Sequence, residues 1–247
     1  MDKMFGCLKM KLCSKTENYF KFKQKTFLLS HLNKLIVFRK AIIISFLVIL
    51  FDQIIKVYIK THFYLGEEYS VAGNWFILHF TENNGMAFGL EFEGSWGKLF
   101  LSSFRVIAIS GLGYYVYYLC KTNAHKWYII SMALVFAGAL GNIIDSVFYG
   151  VIFNESYNEI ATFMPAEGGY SSLMYGRVVD MFYFPILHGT FPNWLPVWGG
   201  EEFEFFRPVF NLADFSISCG VGIMYLNQKK FFKDDLKKES LGENTQQ

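Results

Sequence analysis

The sequence predicts an all-α membrane protein, four transmembrane helices joined by extracytoplasmic loops. Three observations lead there. Hydrophobic residues make up 53% of the 247 positions and aromatic residues 19%, which is too apolar for an ordinary soluble domain. Four stretches, 41–59, 99–119, 127–149 and 208–227, approach the roughly 20 apolar residues that a bilayer crossing needs. The basic residues, finally, are sorted by side rather than spread along the chain.

The first span reads AIIISFLVILFDQIIKVYI. The 40 residues before it are long and basic, with no apolar core leading to a small-residue cleavage site, so they are not a cleavable signal peptide. They are either a basic cytoplasmic extension or the product of an early start codon, since Met4 and Met10 offer later ones. Segments 1–40, 120–126 and 228–247 hold most of the Lys and Arg, whereas 60–98 and 150–207 hold only Lys60, Lys98, Arg177 and Arg207. Basic flanks mark the cytoplasmic side. Both termini are therefore expected inside, and the two long loops outside. The domain reading is a basic cytoplasmic extension at 1–40, a four-helix membrane domain at 41–227 and a cytoplasmic tail at 228–247. The four cysteines, Cys7, Cys13, Cys120 and Cys219, have no CxxC or zinc-ligand spacing and read as free thiols.

A charged residue inside a span costs roughly 2.5–3.5 kcal/mol on insertion scales. The first span nevertheless holds Asp52 and Lys56, the third Asn142 and Asp145, and the fourth Asn211 and Asp214. At a rise of about 1.5 Å per residue, the three acids lie about 6–10 Å from the outer ends of their helices. Three separate helices thus bring carboxylates to one outer layer. Asp52 and Lys56, four apart, can pair on one helix face. Asn142 and Asn211 can also bond neighbouring backbone between helices. Gly138 and Gly141 read as sites of close helix packing, and Arg105 in the second span has no assigned role. In the outer loops, HFTENNGMAFG carries Asn83, Gly85 and Ala87 at a turn where backbone can approach another group closely. In YGRVVDMFYFPIL, Asp180 lies among Val, Met and Phe, a setting that desolvates a carboxyl and raises its pKa.

Five segments in order, DQIIK (52–56), NNGMAFG (83–89), GALGNIIDS (138–146), GRVVDM (176–181) and FNLADFSI (210–217), resemble the motifs of the lipoprotein signal peptidases, the bacterial signal peptidase II family of membrane aspartic proteases. The resemblance implies a catalytic dyad at Asp180 and Asp214. It implies a polar shell of Asn142, Asp145, Asn211 and Ala213, the first-span pair Asp52 and Lys56, an outer-loop motif of Asn83, Gly85 and Ala87 near substrate, and extracytoplasmic loops that form a small β-rich cradle and a lid. It further implies an endopeptidase that cuts diacylglyceryl-modified prolipoproteins just before the lipidated cysteine. Its expected partners are that substrate and membrane lipid, not nucleic acid. The expected setting is the bacterial inner membrane, as a monomer, with the active site near the outer face. The family usually has Arg after the GNxxD acid, where this chain has Ser146, which leaves Arg177 and Arg207 as candidate replacements. The segments between Asp145 and Asp180 and between Asp180 and Asp214 are longer than usual, and their aromatic inserts either lie on the membrane surface or fold as a lid.

The chemistry implied is that of two carboxylates about 3 Å apart sharing one proton, one activating water and the other polarising the scissile carbonyl. It needs no cofactor and no metal, and the chain has no HExxH or GxSxG motif. Two rival readings also accommodate buried acids: an ion-coupled carrier and a four-span scaffold. The carrier lacks an internal repeat, and the scaffold does not explain acids at one depth.

Overall fold

The computed structural model describes residues 2–84, 95–122, 124–185, 187–194, 196–205 and 208–243. Helix α1 (Asp2–His62) runs from the basic leader through the first apolar stretch without a break. Strands β1 (Glu68–Ala72) and β2 (Phe76–Asn83) follow as a hairpin, then helices α2 (Ser95–Lys121) and α3 (Lys126–Ile144). α3 loosens into a π turn at Asp145–Tyr149 and ends in a short helical turn, α4 (Gly150–Ile152). Strand β3 (Val178–Tyr183), the pair β4 (Leu187–Thr190) and β5 (Glu202–Phe205), and helix α5 (Leu212–Glu243) complete the chain. Three helical segments, Leu32–His62, Trp96–Lys121 and Lys126–Ile152, are long and apolar enough to cross a membrane. Much of their apolar surface, such as Phe46, Phe51 and Ile54 of α1 and Phe104 and Ile107 of α2, is exposed, as suits side chains whose surroundings are lipid rather than water.

The segments after α1 and α4 build a small antiparallel sheet of order β1-β2-β3. β2 pairs with β3 through Thr81↔Asp180, Glu82↔Val179 and Asn83↔Val178, with a bulge between Leu78 and Thr81. Alternation along β3 turns Val179 and Met181 to one face and Asp180 to the other. Val179 and Met181 join Ile59, Phe80, Tyr149, Phe153 and Ala161 in an apolar core that seats the sheet on the C-terminal ends of α1 and α3. The second insert supplies the antiparallel pair β4-β5.

The first insert, from Asn154 to Gly176, is built onto the end of α3. A π turn leaves carbonyls without helical partners, and insert N–H groups take them up: Gly176 N donates to Ser146 O (2.8 Å), Met174 N to Val147 O (3.0 Å) and Ser171 N to Gly150 O (2.8 Å). Gly176 lies so close that a Cβ there would sit 2.0 Å from Asp145 O. Ser146 is buried beneath this loop and donates its hydroxyl to Asn142 O at 3.0 Å.

α5 packs along α3 through small residues. A Cβ on Gly138 would fall 2.2 Å from the Ala213 carbonyl oxygen, and one on Gly220 would fall 2.6 Å from Ser131 O. The fourth apolar stretch begins as helix at Leu212, not at Pro208, so Asn211 lies one residue outside it. Cys120 and Cys219 are free thiols.

Gly138→Ala therefore forces α3 and α5 apart. It should cost about 1–3 kcal/mol, the usual range for overpacking, and lower the thermal midpoint of the detergent-solubilised protein. Gly111→Ala in α2, where the added methyl meets nothing within 4 Å, should leave that midpoint unchanged or raise it.

Candidate active site

The site is assembled from four elements by one buried cation. Lys56, one turn after Asp52 on α1, contacts Asp52 at 2.9 Å, Asp145 at 2.8 Å and the Asn142 side-chain oxygen at 2.8 Å. An ammonium has three N–H donors and no acceptor, so these contacts use its whole capacity. Each carboxylate passes the constraint on. Asp145 accepts from Val179 N at 3.3 Å and so ties α3 to β3. Asp52 accepts from Ala213 N at 2.9 Å and so ties α1 to the first turn of α5. Gly141 makes room for this: a Cβ there would sit 2.8 Å from Asp52 Oδ2.

Because Lys56 only donates, Asn142 must turn its oxygen to it, which aims its amide nitrogen at Asp214. That nitrogen donates to Asp214 Oδ1 at 2.8 Å. Asn211 is the helix cap of α5. Its side-chain oxygen accepts from Asp214 N at 2.9 Å, and Asp214 Oδ2 accepts from Asn211 N at 3.4 Å, a reciprocal capping box. The Asn211 amide nitrogen then reaches Asp180 Oδ1 at 2.7 Å, Asn142 Oδ1 at 3.1 Å and Val179 O at 3.3 Å. The two amides thus bridge Asp180 and Asp214, one acid on a strand and the other in the first turn of a helix.

Asp180 and Asp214 line the same cavity of about 370 Å³. Asn83, Asn142 and Val178 join them at its polar end, and Ala108, Leu112, Ala139 and Ile217 line the apolar remainder. Burial, with the charge of Asp214 second, pushes the Asp180 carboxyl up to about 7. Among the expected site residues, Asp52, Lys56, Asn142, Asp145, Asn211 and Ala213 form the network behind this cavity, and Asn83 lines it. Gly85, Ala87 and Arg207 lie outside the described residues. Arg177 is engaged elsewhere, bonded to Glu82 at 3.0 Å and to Glu155. That second ionic cluster also holds Lys60, which pairs with Glu82 and donates to Ser156 at 2.7 Å. Burial drives the Glu82 carboxyl up, but the adjacent Lys60 ammonium, together with hydrogen bonds from Arg177 and Ser156, leaves the group below its ordinary value.

Two residues with no expected role take part. Gln53 donates to Asp145 at 2.9 Å and accepts from the Tyr149 hydroxyl at 3.1 Å. Arg105 lines the cavity. A polar residue within an apolar span was the available signal in both cases.

The family model described as signal peptidase (SPase) II matches residues 44–229, a segment that contains every residue of this network. The chain belongs to the signal peptidase II family. It is 52% identical over 182 residues to a lipoprotein signal peptidase of Porphyromonas gingivalis, a match covering 73% of this chain and 78% of that one. The lipoprotein signal peptidase of Amoebophilus asiaticus is 35% identical over 206 residues, covering 82% and 83%. A solved bacterial membrane enzyme shares the fold, with a TM-score of 0.51 at 24% identity over 77% of this chain and 88% of that one. The signal peptidase II chain described here is accordingly a multi-pass membrane protein and a hydrolase of the aspartic type.

Lys56→Met leaves Asp52 and Asp145 buried without their cation. Removing one partner of a buried ion pair costs about 3–5 kcal/mol, so the variant should show a lowered thermal midpoint and faster proteolysis in detergent. Lys23→Met, on an exposed stretch of α1, should change neither.

Proposed function

We propose that the chain removes the signal peptide from diacylglyceryl-modified prolipoproteins by hydrolysing the peptide bond just before the lipidated cysteine, with Asp180 and Asp214 as the catalytic pair. The observation that carries this reading is that both carboxylates line one cavity, each fixed by an asparagine amide. Family membership supports the reaction class.

In this mechanism Asp180, whose carboxyl keeps its proton up to about pH 7, donates to the scissile carbonyl oxygen. Asp214 takes a proton from a water that attacks the carbonyl carbon. The tetrahedral intermediate collapses with protonation of the departing amine, and the dyad returns to its starting charge. Asn142 and Asn211 hold the two carboxyls in place, and Lys56 acts through Asn142. The network of Asp52, Lys56 and Asp145 is positional: it fixes α5 and β3 against α1 and α3.

The remaining features follow from the same reading. The apolar first half of α5 serves as a fourth span, both termini lie in the cytoplasm, and the dyad sits near the outer face of the inner membrane. The distribution of Lys and Arg supports that orientation. The β1-β2-β3 sheet serves as a cradle for the segment around the cleavage site, and the β4-β5 pair serves as a lid. The chain acts as a monomer, with substrate entering from lipid.

Asp180→Asn and Asp214→Asn should each abolish release of signal peptide from a lipidated precursor in detergent while the protein still inserts and purifies. Retained cleavage by either variant contradicts the assignment. The wild-type rate should also fall as pH rises through about 7. The acid form of Asp180 is lost there, and each further unit should cost roughly tenfold in kcat/KM. A profile that keeps rising to alkaline pH contradicts Asp180 as the acid.

A further inference from the structure

We propose that Arg105 binds the ester carbonyls of the substrate's diacylglyceryl group, a role that rests on the peptidase reading above. The cavity is polar at one end and apolar at the other, and Arg105 stands at the change. On α2 the lining residues are Arg105, Ala108, Ile109 and Leu112, the i, i+3, i+4, i+7 positions of one helix face. Arg105 is therefore the outermost of them, and the three apolar residues continue inward. The other walls have the same polarity: Asn142 and Ile143 lie outward of Ala139 on α3, and Asp214 lies outward of Ile217 on α5.

A lipidated precursor has the matching order of chemistry. Its peptide bond belongs beside the two carboxylates, its acyl chains belong along the apolar stripe, and its glycerol esters fall between. Of the α2 residues lining the cavity, Ile109 is buried, whereas the neighbouring Ala108 is exposed. Acyl chains can therefore enter from lipid without crossing the polar end.

The diacylglyceryl group has no charge, so its recognisable polar atoms are carbonyl acceptors. A guanidinium offers five donors and no acceptor, and its hydrogen bonds strengthen where water is excluded. Among the described residues, the cation that lines the cavity is Arg105.

The test uses the full chain in detergent with two synthetic precursors, one with ester-linked and one with ether-linked chains on the cysteine. Ether chains keep the hydrophobic anchor but lack the carbonyls. Wild type should show a KM for the ester precursor roughly tenfold below that for the ether precursor, the scale of one charge-assisted hydrogen bond. Arg105→Met should raise KM for the ester precursor to the ether value, leave KM for the ether precursor unchanged and alter kcat less than about twofold. Arg105→Lys should recover part of the preference. Equal loss on both precursors, or an unchanged ester KM, overturns the proposal. If Arg105→Met fails to fold, the wild-type comparison decides alone: equal KM values for ester and ether also overturn it. Failure of wild type to cleave either precursor overturns the peptidase reading instead, and this one with it.

Discussion

One ammonium group organises the half of this molecule that carries the candidate site. Lys56 holds two carboxylates and an amide oxygen from two helices at 2.8–2.9 Å, with its own side chain fully buried. Stripping charges of water in this way is costly, and their mutual attraction offsets the cost only when each partner is fully bonded. Here each one is. Asp52 completes its bonding on the first turn of α5, Asp145 on β3, and Asn142 on Asp214 and Asn211. The elements bearing the two proposed catalytic acids are thus positioned by the satisfaction of a single buried cation. Any shift of α5 or β3 leaves a charge or an N–H unpaired in a low-dielectric setting.

Close backbone approach makes this bonding possible. Gly138 and Gly141 bring α3 against the start of α5, so that Asp52 can reach across to Ala213 N. The π turn beginning at Asp145 changes the direction of the side chains there, and it exposes carbonyls that the first insert then covers. The insert is consequently a structural cap on α3, joined by its N–H groups and by Glu155 and Ser156, which bond the ionic cluster of Lys60, Glu82 and Arg177. This packing also accounts for a small residue at 146. Ser146 is buried beneath Gly176 and spends its hydroxyl on Asn142 O.

Much of this was legible from residue spacing. Asp52 and Lys56 pair as their four-residue separation implies, and the carboxylates of three helices do converge. Asn211 was harder to place. A spacing of three between Asn211 and Asp214 fits one face of a continuing helix, and it fits a capping box equally well. The structure has the cap, because Pro208 and the bridge of Phe210 to Phe182 hold the chain extended up to Leu212. The sheet register was not legible, since Thr81 meets Asp180 across nearly a hundred residues and no local pattern fixes such a pairing. No sequence pattern marks Glu82, yet it is buried between Lys60, Ser156 and Arg177. The importance of Gln53 and Arg105 depends on what other helices place beside them, which a single helix pattern does not contain.

The central claim is that Asp180 and Asp214 form one electrostatic unit. Infrared difference titration of the isotopically labelled aspartate carboxyls tests it most directly, comparing wild type with Asp214→Asn. The account predicts that Asp180 titrates near 7 in wild type and at clearly lower pH once the neighbouring charge is removed, with burial keeping it above an exposed aspartate. An Asp180 titration that is the same in both proteins would show that the two carboxyls do not sense each other, and would contradict the account.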